Sequence, residues 1–295
     1  MNVSYYTAYF TIPNKDRLSI LDILQGGKSR QYYFNEEAFA LLGTFNLSNK
    51  MITRLRNEAW DKLLNEEEMQ QLMGKIFPNP DKGKNQRTRI MEAAAIAAYH
   101  EQTEFPVIPV ILSDDAPQFK HLSSEQGLCW IHDGRNYKKL NPVVPLYKKE
   151  LEDFRSLYWN YYKELLQFKE NPRPEKSEEL SAKFDQIFSM NTNYQALNER
   201  IKKTKDNKEE LLMVLKYPQL PLHNNEAELA AREQVRKRDV SLHTMTDEGT
   251  QASDTFLTIV QTAKKLGVRV FDYVHDRVSK KFNMTSLAEL IKKKG

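Results

Sequence analysis

Residues 106–115 read PVIPVILSDD, an apolar run broken only by two prolines that stops abruptly at Asp114 and Asp115. A short, continuous apolar run bounded by polar residues predicts a strand buried on both faces, as in a parallel sheet. A carboxylate at the end of such a strand is well placed for chemistry. The sheet holds its backbone rigidly, while the following loop leaves it accessible. The plain alternative is an ordinary turn, Asp114-Asp115-Ala116-Pro117, capping a short helix.

Downstream, residues 127–131 (GLCWI) form a second short apolar run that ends at His132-Asp133-Gly134. The segment that follows, residues 132–139 (HDGRNYKK), offers His132, Arg135 and Lys138 directly after a strand, as an edge able to contact phosphates. Upstream, residues 87–100 are Ala-rich and strongly helix-forming. Residues 16–24 space Leu18, Leu21 and Leu24 for one helical face and are stopped by Gly26-Gly27. Ser48 caps a helix expected to reach Leu64, and Asn65 caps another through Phe77, with residues 78–84 as a loop. Residues 3–12 (VSYYTAYFTI) predict one strand ending in a turn at Pro13-Asn14. Beyond Pro145 helices are expected over 146–169, 178–189 and 194–215, then a proline-bracketed linker at 217–221. Asn224 or Asn225 caps a helix running through Arg238, and further helices are expected at 251–266 and 285–294.

The 295 residues are 40% hydrophobic and 11% aromatic, enough for a sizeable core and too much for wholesale disorder. No apolar run is long enough to cross a bilayer, and no export signal opens the chain. The single Cys129 excludes a disulfide framework and suits a reducing compartment, so the cytoplasm is the expected location. One cysteine also leaves Cys129-x-x-His132 without partners for a closed zinc site. Phosphate-loop, dinucleotide, zinc-protease and nucleophile-elbow motifs do not occur. The net charge of +4 is only mildly basic. Basic residues nevertheless cluster at Arg232, Arg236, Lys237 and Arg238, while the closing lysines 292–294 read as a solvated face.

Glu228 opens the helix that carries this cluster. Helix capping and dipole matching explain a carboxylate there, as they do for Glu226. Glu228, Arg232 and Arg236, however, recur at i, i+4 and i+8 and share one side of the helix. Such a carboxylate could hold a metal while the arginines hold DNA phosphates. The ordinary reading is an exposed ion pair contributing about 0.3–0.5 kcal/mol.

Taken in order, these pieces resemble the insertion-sequence-66-type transposases. The resemblance rests on the strand ending at Asp114, Cys129-Trp130-x-His132, and Pro221-x-His223-Asn224-Asn225-x-Ala227-Glu228. It continues through Arg236-Lys237-Arg238-Asp239-Val240-Ser241, Gly249, Asp254-Thr255-Phe256, Lys264-Lys265-Leu266-Gly267, Tyr273 and Asp276-Arg277. The opening Tyr6-Thr7-Ala8-Tyr9-Phe10-Thr11 and the helix around 93–100 fit one subgroup. The resemblance implies an α/β, helix-rich chain with a ribonuclease-H-like core, truncated at its first strand and carrying large helical insertions. Residues 1–145 would hold the first part of the core with an insertion at about 16–105, residues 146–215 a second insertion, and residues 216–295 the return to the core.

The family's chemistry is DNA cleavage and strand transfer by three acidic residues holding two Mg2+ or Mn2+ ions. By resemblance Asp114 is the second acid, with Asp115 as its fallback, and Glu228 is the third. Both would be catalytic and metal-ligating residues. The implied DNA contacts are His132, Arg135, Lys138, Asn224, Asn225, Arg232, Arg236 and Arg238. The implied partners are transposon ends and target DNA, with a homo-oligomer assembled on them. Two departures stand out. His223 occupies a position where many relatives have Asp, and the first acid should precede the strand at 6–11, where Asp16 and Asp22 are poor substitutes. The family's N-terminal DNA-recognition part, with its paired cysteines, is absent too. The expectation is therefore a truncated copy with weak or no cleavage activity. The competing readings are a catalytically dead DNA-binding remnant and a helical interaction protein with no nucleic-acid role.

Overall fold

The β-branched and aromatic residues that open the chain fold back on themselves. Strand β1 (Asn2–Val3) pairs antiparallel with β2 (Tyr6–Thr7), Asn2 opposite Thr7 and Val3 opposite Tyr6. The single strand expected over residues 3–12 is thus a tight hairpin. Beyond Thr7 the backbone donors turn to a helix instead of a ladder. The Tyr9 N–H donates to Thr258 Oγ1 at 3.0 Å and the Thr11 N–H to Asp254 Oδ2 at 2.5 Å. The computed structural model describes the chain apart from Met1, Ser4, Pro13, Leu242, His243 and Gly295, and apart from the side chains of Asn2, Val3, Glu226, Arg238 and Ser241. The turn expected at Pro13 and the side chains of Glu226 and Arg238 therefore lie outside the described residues. Two compact units emerge: Asn14–His223, and Met1–Pro13 together with Asn224–Gly295.

In the larger unit, α1 (Arg17–Leu24) starts where the Asp16 side chain accepts from the Ser19 N–H, and it ends at Gly26 and Gly27, both at positive φ. Then β3 (Tyr32–Tyr33), α2 (Glu36–Thr44) and α3 (Asn49–Ala59) lead to β4 (Leu63–Leu64), which pairs antiparallel with β3. The helix expected to reach Leu64 stops at Ala59, because Leu63 and Leu64 take up Tyr33 and Tyr32 as ladder partners. Helix α4 (Glu66–Ile76) begins with a reciprocal cap between Asn65 and Glu68. Helix α5 (Lys84–Glu101) buries its alanine-rich half against Leu21, Tyr32, Leu42, Leu55 and Met69, which form the first core of this unit.

Strand β5 (Val110–Ser113) pairs in parallel with β6 (Glu125–Leu128), with Ser113 opposite Leu128. The apolar run from 106 shortens to four residues, since Pro106 and Pro109 have no N–H to offer a ladder. Trp130, expected near the end of a strand, instead begins helix α6 (Trp130–Lys138). Residues 132–138 are therefore helical rather than a strand-end loop. Long α7 (Pro145–Glu170), α8 (Pro174–Ile187) and α9 (Gln195–Asp206) follow, then the short α10 (Lys208–Leu211) and α11 (Met213–Lys216). They close a second core around Trp130, Tyr158, Tyr161, Phe184 and Phe188. The Trp130 indole N–H is satisfied there by the Leu211 carbonyl at 2.8 Å.

The smaller unit contains α12 (Asn225–Ser241), α13 (Asp247–Lys265), α14 (Val270–Val278) and α15 (Leu287–Lys292). Helix α13 lies along the opening hairpin, with the Thr262 hydroxyl donating to the Thr7 carbonyl at 3.0 Å. Buried Asp254 accepts from the Thr11 hydroxyl and from Gln234 Nε2, and the Tyr9 hydroxyl donates to the Ala230 carbonyl on α12. Ala263, Tyr273 and Leu287 form the core of this unit. Helix α14 was not expected, because its β-branched and aromatic residues are weak helix formers; its Tyr273 and Asp276 side chains accept from the backbone of Leu287 and Asn283. Among the described residues the molecule is helix-rich, its strands pair only in three two-stranded sheets, and no helix is long and apolar enough to cross a membrane.

Candidate functional site

Two consecutive backbone bonds organise the end of β6. The Cys129 N–H donates to the Ser113 carbonyl and the Trp130 N–H to the Leu222 carbonyl, each at 2.9 Å. Successive N–H groups of an extended chain point to opposite sides. The end of β6 therefore lies between β5 and the segment that leads to His223. Asp114 and His223 are the residues that follow the two acceptors, Ser113 and Leu222, on either side of the start of α6.

Asp114 is half-buried, and its Oδ1 is buried with no hydrogen-bond partner among the described residues. Its peptide is held from behind. The Ser113 hydroxyl donates to the Asp114 carbonyl and accepts from Gln126 Nε2, both at 2.8 Å. Asp115 is different: it is exposed and pairs with Lys120 at 2.9 Å. Of the two adjacent acids, only Asp114 combines burial with an unsatisfied oxygen, an arrangement native proteins keep rare. His223 is half-buried as well, and its Nδ1 is buried without a partner among the described residues.

Helix α6 divides its residues between two faces. His132 and Arg135 are half-buried and Lys138 is exposed, at a spacing that puts them on neighbouring rows of one side. The other side is anchored. Asp133 forms an ion pair with Arg200 and accepts from the Thr204 hydroxyl at 2.9 Å, and the Tyr137 hydroxyl lies 2.7 Å from Thr204 Oγ1. The Tyr158 hydroxyl reaches both the Trp130 carbonyl, at 2.8 Å, and Asp133. Burial pushes the Asp133 carboxyl above its ordinary range, against the opposing pull of Arg200. Gly134 lets α7 approach: a Cβ there would lie 2.7 Å from the Trp159 ring and 3.0 Å from Tyr158. This network was not legible in the sequence, since Asp133 and Arg200 stand far apart along the chain and nothing local marks them as a pair.

In the smaller unit, Asn225 opens α12 and the Glu228 N–H bonds the Asn224 carbonyl at 3.0 Å. Asn224 is half-buried, with an Oδ1 that has no partner among the described residues. Glu228 is half-buried and Arg232 is exposed one turn on. Arg236, one turn further, forms a 3.0 Å exposed pair with Glu233, a contact of small energetic weight. The side chain of Arg238 falls outside the described residues.

Among the described residues no three His, Cys, Asp or Glu side chains gather as a ready metal cage. Asp114 and His223 in the larger unit nevertheless offer single donors of the kinds a divalent cation takes. These are Asp114 Oδ1 and His223 Nδ1, each without a hydrogen bond among the described residues.

The family model described as "Transposase IS66 family" matches residues 61–252, a stretch that contains Asp114, α6, His223 and Glu228. "Uncharacterized protein y4jO" of Sinorhizobium fredii (strain NBRC 101917 / NGR234) is 31% identical over 279 residues, 94% of this chain and 85% of that protein. No solved structure matches.

Proposed function

The chain belongs to the IS66 transposase family, and on that premise we propose that it is a metal-dependent DNA strand-cleaving and strand-joining domain in which Asp114 and Glu228 are two of the three acids. The observation that carries this reading is the Asp114 carboxylate at the end of β5, with a buried oxygen that no described group satisfies. A parallel strand pair with an acid at its carboxyl edge also supports a ribonuclease-H-like core. Asp115 is left as a surface residue by its pairing with Lys120.

Mg2+ or Mn2+ at Asp114 and Glu228 would, when bound, activate the attacking water or 3′-hydroxyl and neutralise charge on the leaving oxygen. The chain's own residues do the positioning. Strand β5 and the bonded Ser113–Gln126 pair hold the Asp114 backbone still. Arg232 and Arg236, on the stripe of Glu228, take phosphates of the transposon end or target. His132, Arg135 and Lys138 on α6, with Asn224, Asn225 and Arg238, contribute further backbone contacts. Copies of the chain assemble on the DNA.

Metal uptake tests the site directly. Titration with Mn2+ is expected to reveal a site that Asp114→Asn and Glu228→Gln each weaken at least about tenfold. Any cleavage of labelled end-containing DNA should disappear in Glu228→Gln. Manganese binding untouched by both substitutions overturns the reading.

A further inference from the structure

We propose that His223 is an imidazole ligand of the cation that Asp114 binds, a role that rests on the reading above and deepens it. The argument begins with which polar groups at the end of the β5–β6 pair are already committed. Cys129 Sγ accepts from the His132 N–H at the start of α6. Asp133 is taken by Arg200, Thr204 and Tyr158, and Asp115 by Lys120. On the two segments that flank Cys129 and Trp130, Asp114 Oδ1 and His223 Nδ1 are buried without a hydrogen bond among the described residues.

Their placement follows from the backbone. Cys129 bonds Ser113 on one side and Trp130 bonds Leu222 on the other. Asp114 and His223 are the next residues along those two flanking segments. Two strand spacings separate the flanks, roughly 10 Å between backbones. The end of β6 fills the space between them, so a cation would sit beyond that end, over the first turn of α6, approached by a carboxylate from one flank and an imidazole from the other. Each unsatisfied atom, once desolvated, carries a free-energy cost that a hydrogen bond or a metal removes. A carboxylate oxygen and a neutral imidazole nitrogen form a common mixed donor set for first-row divalent ions. Such a set favours Mn2+ over Mg2+ more than an all-oxygen set would, because Mg2+ prefers hard oxygen donors.

The test uses the full chain, Mn2+ and Mg2+ as the probes, and the magnetic resonance spectrum of bound Mn2+ as a readout independent of catalysis. Bound Mn2+ in the unsubstituted chain should show nitrogen coupling from imidazole. His223→Ala should remove that coupling and weaken Mn2+ binding by about tenfold or more. His223→Asp should restore affinity without the coupling and lower the preference for Mn2+ over Mg2+. Thermal unfolding in metal-free buffer checks that the variants are folded, and His223→Gln replaces any that are not. Absence of nitrogen coupling in the unsubstituted chain, or its persistence in His223→Ala, overturns the inference. If Asp114→Asn loses Mn2+ while His223→Ala keeps it, His223 is no ligand and the proposed function stands. If neither substitution affects Mn2+, both fall.

Discussion

Arg200 neutralises a carboxylate whose side chain is only 7% exposed, and it does so between two packed helices. Removing one member of a buried pair costs far more than an exposed pair contributes, because the remaining charge keeps its desolvation penalty. Arg200→Met is therefore expected to lower unfolding stability by roughly 3–5 kcal/mol, read as an earlier denaturant midpoint at unchanged slope. Gly134 sets two effects against each other. Alanine favours a helix interior by about 0.5–1 kcal/mol, but a Cβ at 2.7 Å from the Trp159 ring must push α7 away. Overpacking of this kind costs about 1–3 kcal/mol, so Gly134→Ala should be net destabilising. A raised melting temperature would show that α7 yields freely. At Asp114 and Asp115 the same comparison of surroundings separates two neighbours of identical chemistry, one with a buried unsatisfied oxygen and one paired on the surface.

The helices show how far local signals reach. Asp16, Asn65 and Thr246 accept the N–H bonds that begin α1, α4 and α13, and of these Asn65 was read as a cap from the sequence. Helix α6 was hidden, because the apolar residues Trp130 and Ile131 extend the pattern of β6. Only the Cys129 cap and the bonds to α7 and α9 turn the chain there. The basic stripe of α12 carries its own expectation. If Arg232 and Arg236 meet phosphates, replacing each by alanine should weaken binding to unrelated DNA sequences equally. Each change should also reduce the slope of log affinity against log salt by about one. A slope that stays unchanged would remove α12 from the interface.

The larger unit is one continuous stretch, Asn14–His223, with both of its cores inside it, whereas the smaller one joins the opening hairpin to the last four helices. Residues 14–223 expressed alone should therefore unfold cooperatively. Residues 224–295 alone should not, because Thr258, Thr262 and Asp254 lose the backbone of residues 7–11. Alkaline pH provides a further check. Burial, reinforced by the hydrogen bond to Glu66, pushes the Tyr32 phenol up to about 12, and burial raises Tyr137, Tyr158 and Tyr161 as well. An unfolded tyrosine ionises near pH ~10. The stability these phenols contribute is complete below that pH and is lost as pH climbs towards the folded values. Tyrosinate absorbance for them should appear together with loss of helicity, not before it. By itself the sequence determined the helix-rich class, several helix starts, the strand ending at Asp114 and the family pattern, since caps, apolar runs and spacing act over a few residues. Only the tertiary structure decided which side chains were already engaged: Asp133 by Arg200, Asp115 by Lys120, and neither Asp114 Oδ1 nor His223 Nδ1 by any described group. Desolvation and pairing depend on neighbours that meet only when the chain has folded.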